Sequence, residues 1–471
     1  MKYVLSILVF YWFGSLNAQQ VFLHGHVSGQ LEGTPVRLQV YSDPYSMLLQ
    51  TLGSAKLDEQ GNFSMRIDAA YARQAFLAVG LKKGMFFIEP GDHYTIQVDN
   101  DSLTVKGSIF DQKPLQMLVK SQRGSLNDDF GRFNAMVDDF LVTHLNDLYR
   151  FHRKGVLNAF ENKLKSTFQN DTGLYFRQSM YYRMADTRWS ARLLSNVEAY
   201  QTYFVKPKAD IRNEAFARFF TDFIENYFAS RIHGPLTKNS LAQVASLRSL
   251  KALDTLFASN SLLAENRKIR TLAEMVVMRK YYRDRNFSKA DFDALFESLS
   301  DSSSFADIRQ IAKHFLVKLH QMAPGTLAPA FQLPDVMGNE HQLKDFKGKF
   351  VLLSFFKTDC PVCLRDLDLL EKMQQNMGGN FTQLSILMGQ TDNDWMEKLL
   401  SGRFSWPFLL LGNQLPLLEK YQVRSFPAYV LLAPDGTVAM APAPMPAEGG
   451  GQQIAAFISQ FVKQHRAGHA P

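Results

Sequence analysis

The stretch KFVLLSFFKTDCPVCLRD, residues 349–366, sets an apolar run, interrupted only by Ser354, ahead of Cys360 and Cys363, the only two cysteines in 471 residues. A run without polar alternation reads as a strand buried on both faces. An amphipathic helix is expected from about Cys360 to Met377, with Leu364, Leu367, Leu370, Met373 and Met377 on one side and Gly378-Gly379 ending it. Upstream, FQLPD, a Gly338-Asn339 turn and HQLKDF read as strand and hairpin. Downstream, FTQLSILMG is a strand, NDWMEKLLS and LPLLEKYQV are helices, RSFPAYVLLAPDGTVAMAP is a hairpin turning at Asp435-Gly436, and QQIAAFISQFVKQ is a last helix. Strands alternating with helices imply a parallel or mixed sheet covered on both faces, an α/β unit over residues 322–471.

Working back along the chain, the period is helical from about Asp111 to Met322. Segments such as AFARFFTDFIENYFASRI (215–232) place apolar side chains three and four residues apart. Breaks at Gly234-Pro235 and in the Ser-rich run 298–304 divide this all-α region, residues 110–321, into seven to nine helices. Its stripe of Phe, Tyr and Trp has core spacing and reads as packing. Before it, residues 19–109 alternate in short runs (VFLHGHVS, TPVRLQVYS, LLQTLGSAKL, GNFSMRID, QAFLAVGL, GMFFIEP, HYTIQVD, SLTVKGS) bounded by turn residues, as in a small β-sandwich. The chain is therefore expected to be multidomain, as its length requires.

The opening MKYVLSILVFYWFGSLNAQQ has Lys2, an apolar run to about Phe13 and then small residues. This is the order of a secretory signal peptide, residues 1–18, cleaved after Ala18. The run is shorter than the ~20 residues that span a bilayer, and no later segment is long and apolar enough, so the mature chain is expected to be exported, to the periplasm, without a membrane span. The formal charge of +7 is spread over the whole chain with no Lys/Arg run, which argues against nucleic acid.

Export makes the cysteine spacing informative. As a staple, so short a ring would contribute only about 2 kcal/mol. As a zinc site the pair is half a ligand set: His341 stands alone, His465 lies in a terminal tail, and His24 and His26 belong to the β unit. No metal and no cofactor are expected. As a redox pair the position makes chemical sense. The sulfurs lie one helical turn apart, and a helix N-terminus stabilises a thiolate at the first of them. Cys360 is then the attacking thiol and Cys363 the resolving one.

From about residue 323 to 465 the chain resembles the secreted thioredoxin-fold thiol-disulfide oxidoreductases of the TlpA/ResA type. The resemblance is carried by APAFQLPDVMGNEHQLKDFKGKFVLLSFF, by the C-P-V-C at a strand-to-helix junction, and by Ser425-Phe426-Pro427 before AYVLL. It implies a cis peptide bond at Pro427, packed beside the disulfide. It also implies exchange with protein thiol or disulfide substrates, fed by an unidentified electron donor.

Five residues bear on redox tuning: Asp359, Pro361, Val362, Phe426 and Pro427. Asp359 replaces the family's usual Trp and reads as the N-cap of the helix. Its charge opposes a thiolate on Cys360, inclining the couple to the reducing side. Pro361 follows the first cysteine, whereas the family often has proline where Val362 stands, and Phe426 is bulkier than the Thr or Val common before the cis proline. Ser354 stands where thioredoxins have a buried acid. Two other readings compete: a partner-binding scaffold whose thioredoxin-like domain is redox-inactive, and a thiol peroxidase. The peroxidase loop calls for Pro and Thr or Ser where this chain has Leu353 and Lys357.

Overall fold

The alternation GNFSMRID becomes a strand in which every second side chain is buried, and HYTIQVD follows the same rule. The computed structural model describes residues 18–29, 32–99, 114–170, 173–207, 210–229, 236–358, 360–389, 399 and 404–467. They form two compact units, the first ending at Phe315 and the second beginning at Leu316, with residues 79–82 grouped with the second.

The first unit opens with eight strands: β1 (Gln19–Val27), β2 (Pro35–Tyr41), β3 (Leu49–Lys56), β4 (Asn62–Ala69), β5 (Arg73–Val79), β6 (Lys82–Ile88), β7 (His93–Val98) and β8 (Met117–Ser121). They pair as two four-stranded sheets, ordered β4-β1-β7-β8 and β3-β2-β5-β6. In β1, a side chain in place of Gly25 would come within 2.6 Å of both the Phe63 ring and the Ile96 carbonyl oxygen, so only glycine fits. The helical period expected from Asp111 starts later. Met117–Ser121 pairs antiparallel with β7 as an edge strand, whose residues alternate between half-buried and exposed with none fully buried, so no core face marks it. The expected strand SLTVKGS, the signal segment, the Gly234-Pro235 break and most of the NDWMEKLLS helix lie outside the described residues.

Eleven helices follow among the described residues: α1 (Leu126–Thr143), α2 (Leu145–Tyr149), α3 (Lys154–Thr167), α4 (Leu174–Ser190), α5 (Asn196–Tyr203), α6 (Glu214–Ala229), α7 (Lys238–Ser246), α8 (Leu250–Ala258), α9 (Arg267–Tyr281), α10 (Lys289–Ser302) and α11 (Ala306–His320). There are more than expected because the five-residue α2 is set off from α1 only at His144, and because α7 and α8 part at Arg248, whose φ of 50° turns the chain without a glycine or proline signal. Starts are set by local chemistry: Ser195 and Glu198 form a capping box on α5, Asn266 caps α9 and Ser288 caps α10. The aromatic stripe of α6 is core. Phe204 is fully buried, with the rings of Phe216, Phe219, Phe220 and Phe223 at 4.8–5.9 Å.

The second unit is a thioredoxin-like α/β fold. A hairpin of β9 (Gln332–Pro334) and β10 (Glu340–Gln342) precedes β11 (Phe350–Lys357), α12 (Pro361–Met377), β12 (Phe381–Met388), β13 (Phe408–Leu410), α13 (Pro416–Lys420), β14 (Ala428–Leu432), β15 (Val438–Met440) and α14 (Gly450–Ala467). The main sheet is ordered β13-β12-β11-β14-β15, with β12 parallel and β14 antiparallel to β11. β11 is buried on both faces, as its run of apolar residues on both sides of Ser354 predicts. Phe350, Leu352 and Phe356 pack with Leu367, Leu370 and Met373 of α12, while Val351, Leu353 and Phe355 pack with Leu417 and Leu418 of α13. Among the described residues no helix is long and apolar enough to cross a membrane.

Candidate active site

β11 ends at Lys357, and its carbonyl accepts the N–H of Cys360 at 3.1 Å. Thr358 N–H donates to Met388 O at 3.1 Å, holding the turn to the end of β12. Cys360 then takes the N-cap of α12 in extended conformation (φ −104°, ψ 104°). Pro361 fills the first helical position, where its missing N–H leaves no bond unmade. The cap function expected of Asp359 thus falls to Cys360, whose Sγ accepts the backbone N–H of Cys363 at 3.1 Å. Asp359 itself lies outside the described residues.

Cys360 and Cys363 are joined as a disulfide with Cα atoms 5.3 Å apart. Their surroundings differ sharply. Cys363 has 0% exposure and belongs to the core cluster under α12, whereas Cys360 is partly exposed at the helix end. Around them, Pro361 is exposed and Val362 partly exposed. The Phe426-Pro427 bond is cis, Pro427 is buried, and Phe426 packs against the core cluster that also takes Cys360 and Cys363. Among the described residues no three His, Cys, Asp or Glu side chains gather as metal ligands.

The expected helix face needs one correction. The buried stripe of α12 is Cys363, Asp366, Leu367, Leu370 and Met373, while Leu364 and Met377 are only partly covered. Asp366, one turn beyond Cys363, was not anticipated. It is 1% exposed; its Oδ2 accepts the Tyr429 hydroxyl at 2.6 Å, and its Oδ1 has no hydrogen-bond partner among the described residues. A carboxylate three residues after the second cysteine, on the Leu367–Leu370 stripe, is the signal that would have located it. Burial, then the hydrogen bond and charge of Asp366, push the Tyr429 phenol far up from its ordinary range, so it stays a donor.

Other buried polar groups on this side of the sheet are bonded to one another or to the backbone, although Gln383 Oε1 has no hydrogen-bond partner among the described residues. Trp406 Nε1 donates to Ser385 Oγ at 2.9 Å, and Ser385 Oγ lies 2.9 Å from Ser354 Oγ. Ser354, at the position where an acid was sought, is therefore spent on a hydroxyl pair. Gln383 Nε2 donates to Leu370 O at 2.6 Å. The other buried carboxylate of this unit among the described residues, Asp335, is fully engaged. It accepts from the N–H groups of Met337 and Asn339 at 2.8 Å and bonds His341 Nε2 at 2.8 Å.

Residues 323–443 match the Redoxin family. The chain is similar to the thiol-disulfide oxidoreductase ResA of Geobacillus thermodenitrificans (strain NG80-2), at 30% identity over 132 residues, which are 27% of this chain and 74% of that protein. The thiol-disulfide oxidoreductase ResA of Geobacillus kaustophilus (strain HTA426) is 29% identical over 130 residues, again 27% and 74% of the two chains. Among solved structures, the thioredoxin domain of a thiol-disulfide oxidoreductase from Bacteroides vulgatus is 28% identical, covering 30% of this chain and 98% of that one with a TM-score of 0.26.

Proposed function

Because the chain belongs to the ResA-type thiol-disulfide oxidoreductases, we propose that Cys360 and Cys363 are its reacting pair, that its substrates are protein disulfides, and that it works on the reducing side after export. The observation that carries this reading is the one-sided exposure of the pair. Only the sulfur at the helix N-terminus is open to a partner, and its neighbour, with 0% exposure, reaches only that sulfur.

The chemistry follows in two exchanges. The Cys360 thiolate, facing the N–H of Cys363 and the positive end of α12, attacks a substrate disulfide. A mixed disulfide forms as one substrate sulfur leaves with the electron pair of the broken bond. Cys363 then gives up its proton, and its thiolate attacks Cys360 Sγ. The second substrate sulfur leaves, takes up a proton, and the Cys360–Cys363 disulfide stores two oxidising equivalents for an external dithiol donor to remove. The charge of Asp359 beside Cys360 supports the reducing direction.

Insulin reduction by dithiothreitol tests the pair: wild type should accelerate it, and Cys360→Ser and Cys363→Ser should not. Equal rates for all three would favour a redox-inactive scaffold. Direction is tested by the reduction potential in glutathione buffers. A value near about −270 mV fits a reductase, and one near about −120 mV would reverse it. Export predicts a mature chain beginning at Gln19, read by N-terminal sequencing of the secreted protein.

A further inference from the structure

In the helical region of the first unit, α8, α9 and the last turn of α10 line a cleft of about 280 Å³. Glu274 of α9 borders it and is 2% exposed, yet its Oε1 is buried with no hydrogen-bond partner among the described residues. A buried carboxyl left in this way is costly and calls for a partner. Asp254 of α8 lines the same cleft, and its Oδ1 accepts Arg270 Nε at 2.8 Å. Arg270 spends Nη1 on the carbonyls of Leu263 and Ala264. The facing wall is the C-terminal end of α10 at Ser302 and Ser303, where the last turn carries no basic residue to answer the partial negative charge of the helix end. Two acids and a helix C-terminus thus border one space. The other cations nearby are placed elsewhere: Arg267 is exposed at the rim, Lys268 pairs with Asp307 at 2.5 Å, and Arg309 bonds the Ser303 carbonyl.

We propose that this cleft binds the ammonium group of a short alkylamine, its head between Glu274 and Asp254 and its methylenes against Leu299 and Phe305. An ammonium brings three donors, so one group can serve Glu274 Oε1 and a second carboxyl oxygen at once. Burial, then the charge of Asp254, hold the Glu274 carboxyl well above its usual range, while Arg270 and Arg267 act against them. A cation placed between the two acids counters both causes, whereas a neutral donor would fill Oε1 and leave the acids repelling each other. A metal ion fits less well. Among the described residues no three His, Cys, Asp or Glu side chains gather, and hard cations take more oxygen ligands than two acids supply. The volume suits a ligand of few atoms, since it falls at the lower end of small-molecule pockets, about 300 Å³.

The test titrates n-butylammonium, n-butanol and butyrate into the full-length chain at fixed ionic strength, followed by isothermal titration calorimetry. The ammonium should saturate with a dissociation constant at or below about 10 mM, and the alcohol and the carboxylate should not. Glu274→Gln keeps the shape and removes the charge, and should weaken binding about tenfold or more. Ser302→Lys, at an exposed position on the edge of the cleft, supplies an ammonium from the chain itself and should abolish binding. It carries the test if Glu274→Gln does not fold. Nα-acetyl-lysine amide presents the same head and methylenes: tighter binding than n-butylammonium assigns the ligand as a lysyl side chain, and weaker binding as a free amine. No saturation by the ammonium, equal binding of n-butanol, or binding unchanged in the two variants overturns the proposal. Saturation by Ca²⁺ without saturation by the amine overturns it in favour of a metal site.

Discussion

Ser385→Ala isolates the buried polar seam beneath α12. Ser385 has 0% exposure, and its Oγ accepts Trp406 Nε1 at 2.9 Å and lies 2.9 Å from Ser354 Oγ. The substitution removes one oxygen and little volume, so the cavity term is small. What it leaves is an indole N–H, on a side chain only 4% exposed, with no acceptor. A stranded buried donor costs about 1–3 kcal/mol, and the lost Ser–Ser bond adds about 1 kcal/mol. Ser354 limits the damage, because its Oγ also lies 3.4 Å from Leu384 O. The expected cost is therefore about 2–3 kcal/mol, against about 1 kcal/mol for Ser354→Ala, which leaves the indole its acceptor. With a urea m-value of about 2 kcal/mol/M, the midpoint of the C-terminal unit should fall by about 1 M. Urea unfolding followed by tryptophan fluorescence reads this. If Ser385→Ala stays within about 0.5 kcal/mol of wild type, or Ser354→Ala costs as much, the seam does not hold the sheet in the way argued.

Cys363→Ser should accumulate a mixed disulfide between Cys360 and its substrate, seen on non-reducing gels. Turnover should fall at least about 10²-fold, since an external dithiol cannot match a preoriented internal thiol; trapping by Cys360→Ser would reverse the order of the thiols. For Asp335, burial raises the pKa, but bonds from His341, Asn339 and Met337 outweigh it and hold the carboxyl down to about 2. A lowered folded pKa stabilises above the unfolded value of about 4, and that contribution is lost as pH falls from about 4 towards 2. Asp335→Asn should therefore flatten the acid unfolding of this unit over that window, and an unchanged slope would contradict the assignment. Phe204→Ala, deleting a fully buried ring between α5 and α6, should destabilise the first unit by about 3–5 kcal/mol in thermal unfolding; a loss under about 1 kcal/mol would mean that the stripe is not core.

The pattern of the fold was legible where periodicity is strict. β4 alternates perfectly, β11 does not alternate at all, and each is buried as that difference demands. β8 escaped because an edge strand with no fully buried residue has no core face to mark it. The split of α7 from α8 escaped because Arg248 enters the left-handed region under tertiary constraint. In the site, the cysteine spacing and the cis Phe426-Pro427 bond were anticipated, whereas the cap was assigned one residue early. Cys360 takes it because Pro361, which needs no hydrogen bond at its nitrogen, opens the helix.

By itself the amino-acid sequence determined the order of β, α and α/β segments and the pairing of two thiols at a strand-to-helix junction, since periodicity and spacing are local properties of the chain. Only the tertiary structure decided which thiol is covered and which is open, and that Asp366 is buried against Tyr429 with one oxygen unbonded. Those depend on β14 and α12 meeting across the sheet. Asp366 and Tyr429 stand 63 residues apart, and the alternation of each segment says nothing of what it will face.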